Sequence, residues 1–387
     1  MPFLFVWTAT LSIPLIMSTG IVGFVQYLQY LWPGMSAWQG DLIGLAAIAL
    51  IIALLWRRIE SIGKLTTVLW AIMIISVGLV IVAAYTHFDP ALAFTYPTGA
   101  FDLTSSKFWI GLAGGLTIGI YDYLGYYTTA YMGAEMSNPG KVIPRSIVFS
   151  VLGIMVIYLL MQIGVLGVIN WHEMLDPNSP AGQAVASAVL ARTWGTTAAD
   201  IITCLILITA LASVLAGLLG GSRVPYDAAR DGVFFRPYAR LHPRHKFPML
   251  GLLTMGVLTA VGFLIGEATD LATLIQLLTA VMVIVQALAQ IIALSVLRRR
   301  QPNLRRPYTM WLYPLPSIIA FIAWAFIYAY SDANSPGRHP IEWSLAWLAA
   351  GIVAYLIWAR VEKTWPFGPK EIREQYMTEQ ETAGVGR

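Results

Sequence analysis

The chain has 387 residues, of which 58% are hydrophobic and 11% are charged. A soluble domain carries roughly 25% charged residues, so this composition excludes a large soluble domain and indicates an integral membrane protein. Cys204 is the only cysteine and lies in an apolar segment, which excludes a disulfide framework and a thiolate metal cluster.

Apolar segments of about 20 residues, the length that crosses a bilayer as a helix, recur along the chain. We expect helices rather than barrel strands, because the runs are much longer than a tilted strand needs. The sequence predicts an all-α polytopic protein with one transmembrane domain over residues 1–360 and a charged tail over 361–387. About ten spans are expected, at 3–30, 41–56, 62–85, 108–136, 144–169, 196–221, 249–265, 271–297, 315–330 and 341–358.

The basic residues are concentrated in alternate loops, which sets the expected orientation. If the N-terminus is cytoplasmic, all 24 Lys and Arg except Lys107, Arg192 and Arg338 fall on the inner side. The asymmetry predicts a multi-pass protein of the cell membrane with both termini in the cytoplasm. It also accounts for the net charge of +4 without a nucleic-acid partner.

Two local helix features are also expected. A short helix over 182–192 is predicted in an outer loop. The span at 144–169 is predicted to begin at Pro144, because proline favours the first position of a helix.

The segment 108–136 is glycine-rich and carries Asp122 near its middle. A charge near the bilayer midplane costs about 3 kcal/mol even on a lenient scale, and such residues are usually functional. Secondary transporters bind substrate at discontinuous helices near the midplane. Asp122 either binds a cationic group or a proton, or it is a structural carboxylate hydrogen-bonded to nearby Tyr or Thr hydroxyls.

The polar residues around Asp122 and in other spans leave similar alternatives open. Tyr121, Tyr123, Tyr126 and Tyr127 either line a pocket or pack between helices. The remaining polar residues within spans either line a polar path or form interhelical hydrogen bonds. They are Gln162, Thr209, Ser213, Gln276, Gln286 and Gln290.

Four stretches carry a resemblance to a known family. Residues 121–145 hold a broken-helix segment and an E-x-x-N-P-x-x-x-x-P exit, and the others are 222–248, 297–314 and 7–33. They resemble, in that order, the sixth helix, the loop after the eighth helix, the loop before the eleventh helix and the third helix of the amino acid–polyamine–organocation permease superfamily.

The resemblance implies a leucine-transporter-type inverted repeat, incomplete here because the chain begins at the family's third helix. Substrate is implied to bind at the break over residues 121–125, with its ammonium on the carbonyls of Tyr121 and Leu124. Some proton-coupled relatives carry a lysine in the fifth helix, whereas residues 69–74 here contain none. The implied substrate-binding residues are Tyr121, Asp122, Tyr123, Leu124, Gly125, Met17 and Gly20, and Tyr127 is the implied gate.

The function implied is a secondary active permease for amino acids or related amines, working by proton symport or by exchange with alternating access. Its expected partners are the amino acid or amine, the lipid bilayer and, for symport, protons. No cofactor, metal or nucleic acid is expected. A membrane enzyme is disfavoured, because no nucleophile–base pair or metal-ligand set is visible.

The two absent helices motivate alternatives to a working permease. One is a non-transporting truncated membrane fragment, and another is a sensor or assembly partner. A third is a natural protein that starts upstream of an internal methionine, which leaves the permease function in place.

Overall fold

The computed structural model describes residues 2–56, 62–97, 99–125, 138–176, 179–245, 247–269, 271–303, 306 and 308–362, with the backbone alone at 62–66, 284 and 285. Within these residues the protein is a bundle of helices without a strand. The longer helices are α1 (Pro2–Leu31), α2 (Ala37–Leu55), α3 (Ile62–Thr86), α4 (Ser106–Asp122), α5 (Pro139–Leu166), α6 (Thr196–Gly221), α7 (Met249–Ala268), α8 (Leu271–Met282), α9 (Ala289–Arg300), α10 (Leu315–Ala329) and α11 (Pro340–Val361). Shorter helices are Pro90–Ala93, Trp171–Met174, Pro180–Gln183, Val185–Thr193, Arg223–Arg230 and the 3₁₀ turn Arg236–Ala239.

Among the described residues, 7 helices are long and apolar enough to cross a membrane. The bent pair α8 and α9 supplies an eighth span, with an angle of 45° between its halves and a π-helical stretch at Val283–Leu288. The other two expected spans overlap α4 and α10, which have 17 and 15 residues, and residues 126–136 of the span expected at 108–136 lie outside the described residues. At 1.5 Å per residue these helices fall short of the roughly 30 Å hydrocarbon core. The all-α polytopic fold is confirmed.

Helix α1 is the centre of the bundle. It is mostly buried and contacts α2, α6, α7, α8 and α11, and its apolar residues form the main core with α2, α6, α7 and α8. The hydroxyl of Ser18 donates to the carbonyl of Thr259 on α7 at 2.9 Å, so α1 is also joined to a neighbour by a hydrogen bond. By contrast, α5 is mostly exposed along its apolar length.

The expectations for the start of the span at 144–169 and for the short helix at 182–192 were both wrong in detail. Helix α5 begins at Pro139 rather than Pro144, because Asn138 adopts a left-handed φ of 56° and makes the earlier proline the first helical residue. The helix expected at 182–192 is two helices, because Ala184 has φ −146° and ψ 73° and interrupts the hydrogen-bonding pattern between Pro180–Gln183 and Val185–Thr193.

Candidate functional site

Helix α4 ends at Asp122, within the segment that was expected to be broken. Residues 123–125 form a turn, and the N–H of Leu124 donates to the carbonyl of Tyr121 at 3.0 Å. Gly125 has φ +106°, a conformation that glycine adopts without steric cost. The turn residues 123–125 therefore end the helix by local geometry.

This geometry makes Gly125→Ala a test of the turn. An L-residue forced into such a conformation costs roughly 1–3 kcal/mol, so we expect the variant to lower the melting temperature and reduce transport. Gly115→Ala is the matched control, because Gly115 lies within α4 and an added Cβ would meet nothing within 4 Å. Thermal unfolding of both purified variants measures the difference. Equal melting temperatures would contradict a requirement for glycine at the turn.

The turn is joined to α1 through Thr19, which sequence reasoning missed. The hydroxyls of Tyr121 and Thr19 form a hydrogen bond, and the Thr19 hydroxyl donates to the carbonyl of Ile16 at 2.7 Å. Because a hydroxyl has one hydrogen, Tyr121 is the donor to Thr19. The only sequence signal was the position of Thr19, one residue before the candidate Gly20.

Met17 and Gly20 lie beside Thr19 on α1 and approach α6. The side chain of Met17 lies against Gly217, and a Cβ built on Gly20 would come within 2.9 Å of a methyl group of Val214. Met17 packs on the same core as Tyr121 of α4 and Leu124 of the turn. Direct contact of Met17 or Gly20 with a substrate stays a prediction.

The other side of the turn is joined to α5 through Tyr158, which was also missed. The Tyr158 hydroxyl donates to the backbone carbonyl of Asp122 at 2.9 Å. Its ring meets the edge of Tyr123 with 5.5 Å between centroids and an interplanar angle of 85°. The structure thus brings α1, α4 and α5 together at the predicted break.

The carboxylate of Asp122 is exposed, and no described residue forms a hydrogen bond with it. The hydroxyls of Tyr121 and Tyr158 are directed to Thr19 and to the Asp122 backbone instead. The carbonyl of Leu124 likewise receives no hydrogen bond within the described residues. Two acceptors suited to an ammonium group therefore have no partner among the described residues at the end of α4. Tyr126 and the candidate gate Tyr127 lie outside the described residues.

The Tyr121–Thr19 hydrogen bond makes Tyr121→Phe informative. The variant keeps the ring and removes the donor, so we expect a loss of about 0.5–1.5 kcal/mol in stability. Tyr123→Phe removes a hydroxyl without a hydrogen bond in the described part of the chain and is expected to leave stability unchanged. Denaturation of both variants under identical conditions measures the difference. If the two variants behave alike, the link between α1 and α4 contributes no stability.

The polar residues of other spans include two with clear structural partners. Gln276 on α8 donates to the carbonyl of Asn334 in the loop before α11 at 3.3 Å. Thr209 donates to the carbonyl of Leu205 within its own helix at 2.8 Å. The Gln276 bond joins α8 to a loop and the Thr209 bond stays within α6, so neither is the expected bond between two membrane helices.

The fold and the turn define a class: a multi-pass membrane protein in which one helix ends among others, an arrangement that also occurs in secondary transporters. The model of the amino acid permease family matches residues 1–357. The chain belongs to this family, and it is a transporter rather than an enzyme.

Individual relatives agree with this assignment. The branched-chain amino acid permease BcaP of Bacillus subtilis (strain 168) is 24% identical over 383 residues, covering 93% of this chain and 76% of the relative. BcaP of Lactococcus lactis subsp. cremoris (strain MG1363) is 24% identical over 324 residues, covering 84% and 67%. The cationic amino acid transporter 4 of Mus musculus is 33% identical over 170 residues, covering 44% of this chain and 25% of the relative.

Proposed function

We propose that the protein is a secondary active permease of the cell membrane that moves amino acids or related amines by proton symport or exchange. The observation that carries the proposal is the end of α4, where the Asp122 carboxylate and the Leu124 carbonyl have no hydrogen-bond partner among the described residues. Carbonyl groups at a helix break suit an ammonium group. A carboxylate beside them suits a second positive charge.

The substrate class follows from Asp122. A charge in a membrane site is costly unless it is paired, so a cationic amino acid or a polyamine is favoured over a neutral amino acid. Support from relatives is divided, because two are named for branched-chain amino acids and one for cationic amino acids. Among these three, the cationic transporter has the higher identity, over a shorter stretch.

The orientation belongs to the same proposal. Both termini are placed in the cytoplasm, because the basic residues outside the spans lie almost entirely on one side of the predicted topology. The turn at the end of α4 then opens between the two faces of the membrane, where alternating access requires a site.

The decisive experiment is uptake by the purified chain in liposomes. Lysine, arginine, putrescine and leucine are offered with and without an imposed proton gradient, and with and without internal substrate. Symport predicts accumulation that a protonophore abolishes, and exchange predicts uptake that requires internal substrate. Preference for leucine over the three cations would contradict the proposed role of Asp122. Absence of all uptake would favour the non-transporting alternative.

A further inference from the structure

A cavity of about 690 Å³ lies between the end of α2 and the loop that precedes α7. It lies at the C-terminal end of α2, which the predicted topology places on the cytoplasmic side. Its lining residues are Trp56, His242, Pro243, Arg244 and His245. None of them belongs to the site at the end of α4.

The lining is rich in hydrogen-bond donors. The Arg244 side chain is exposed and has no described acceptor, and the indole N–H of the half-buried Trp56 also has no described acceptor. The Nδ1 of His242 accepts the backbone N–H of His245 at 3.2 Å. In the neutral ring the other nitrogen of His242, Nε2, then carries the hydrogen and is a donor.

Two of these donors, on His242 and Trp56, are held in place by a buried ring. Phe247 is 4% exposed and stacks on His242 with 5.2 Å between centroids and 8° between planes. It also meets the edge of Trp56 at 5.2 Å, and its carbonyl accepts the N–H of His242 at 2.8 Å. A site whose donors are already ordered loses less entropy when it binds a ligand.

The surrounding charge is positive. Among the described residues, no carboxylate lines the cavity. Arg57 and Arg58 follow Trp56 directly in the sequence. The connection between α6 and α7 carries more basic than acidic residues, and one of the basic ones, Arg236, pairs with Glu362 at 2.5 Å. The basic residues there are Arg223, Arg230, Arg236, Arg240, Arg244 and Lys246, against Asp227 and Asp231.

We propose that this cavity binds a phosphate group, carried either by an anionic phospholipid headgroup or by a soluble phosphate. A guanidinium matches the geometry of phosphate oxygens, and the histidine and indole N–H groups supply further donors. Trp56 and the adjoining arginines are typical of the membrane interface, where headgroups lie. A metal site is not supported, because no group of three metal-ligating side chains occurs in the described part of the chain.

The test compares Arg244→Gln with Arg240→Gln. Both variants remove one positive charge from the same loop, but Arg240 does not line the cavity. Binding of inorganic phosphate and of short-chain phosphatidic acid to the full chain in detergent is measured by titration calorimetry. We expect Arg244→Gln to weaken binding about tenfold, because it removes charge-assisted hydrogen bonds, and Arg240→Gln to leave binding unchanged.

Each outcome decides the proposal. Binding of both probes with dependence on Arg244 identifies a soluble-phosphate site, and binding of the lipid alone identifies a headgroup site. Equal weakening by the two variants would show diffuse attraction to a basic loop and would overturn the proposal, as would absence of binding to both probes. If Arg244→Gln does not fold, Trp56→Phe keeps the aromatic packing, removes one donor and is expected to weaken the same binding. None of these results depends on transport.

Discussion

Asp122→Asn is expected to reduce uptake of cationic substrates by at least about 30-fold, because removing one partner of a desolvated charge pair costs about 2–5 kcal/mol. The substitution keeps the size of the side chain and removes its charge. Uptake of a neutral amino acid is expected to change much less. If Asp122 instead carries the coupling proton, the variant loses the pH dependence of accumulation for every substrate.

The measurement is the initial rate of lysine and leucine uptake in liposomes at several pH values. Asp102→Asn is the matched control, since Asp102 is an exposed residue in the loop before α4, where hydrogen bonds from Thr104 lower the pKa of its carboxyl. The control is expected to transport as the unmodified chain does. A rate and pH profile unchanged in Asp122→Asn would show that the carboxylate is structural.

Gly217→Val is expected to destabilise the bundle by about 1–3 kcal/mol, because overpacking a tight interface forces neighbours to move. Gly217 lies on α6 where the side chain of Met17 from α1 passes over it, so there is no room for a larger residue. Small residues at such crossings let membrane helices approach closely. If α1 moves away from α6 at this contact, the part of α1 near Thr19 is expected to shift as well.

Gly220→Val provides the comparison, because Gly220 lies three residues away on the same helix and an added Cβ would meet nothing within 4 Å. Both variants carry the same change in helix propensity, so the difference between their melting temperatures reports the α1–α6 contact. Equal melting temperatures would mean that α1 and α6 have room to separate at this crossing.

The sequence predicted the helices well, because span length depends on local composition. Within the described residues, each of the ten expected spans overlaps a helix or, at residues 271–297, the bent pair α8 and α9, and seven of these helices are long and apolar enough to cross a membrane. Helix starts were harder. Pro139 and Pro144 both suit a first helical position, and the choice between them depended on the backbone conformation of Asn138.

The sequence predicted the candidate site residues at the end of α4, but it did not predict the residues on neighbouring helices that contact them. Asp122 and Gly125 stand out as a charge and a glycine within an apolar run, so their own segment reveals them. Thr19 and Tyr158 are ordinary residues of their helices, and they matter because the fold brings them to α4. The residues in these contacts are 36 or more positions apart in the chain, so no short sequence pattern indicates that they meet.

The central position of α1 has a practical consequence for observing motion. Because α1 is packed against α6 and four other helices, we expect the distance between α1 and α6 to change little. The α1–α6 pair can therefore serve as the reference for distance measurements. Cys204, the single cysteine, is exposed on α6 and is a native attachment point for a spectroscopic probe within that pair. A second probe at the exposed Leu152→Cys on α5 would test the proposed alternating access, which predicts that the distance between the two probes changes during transport.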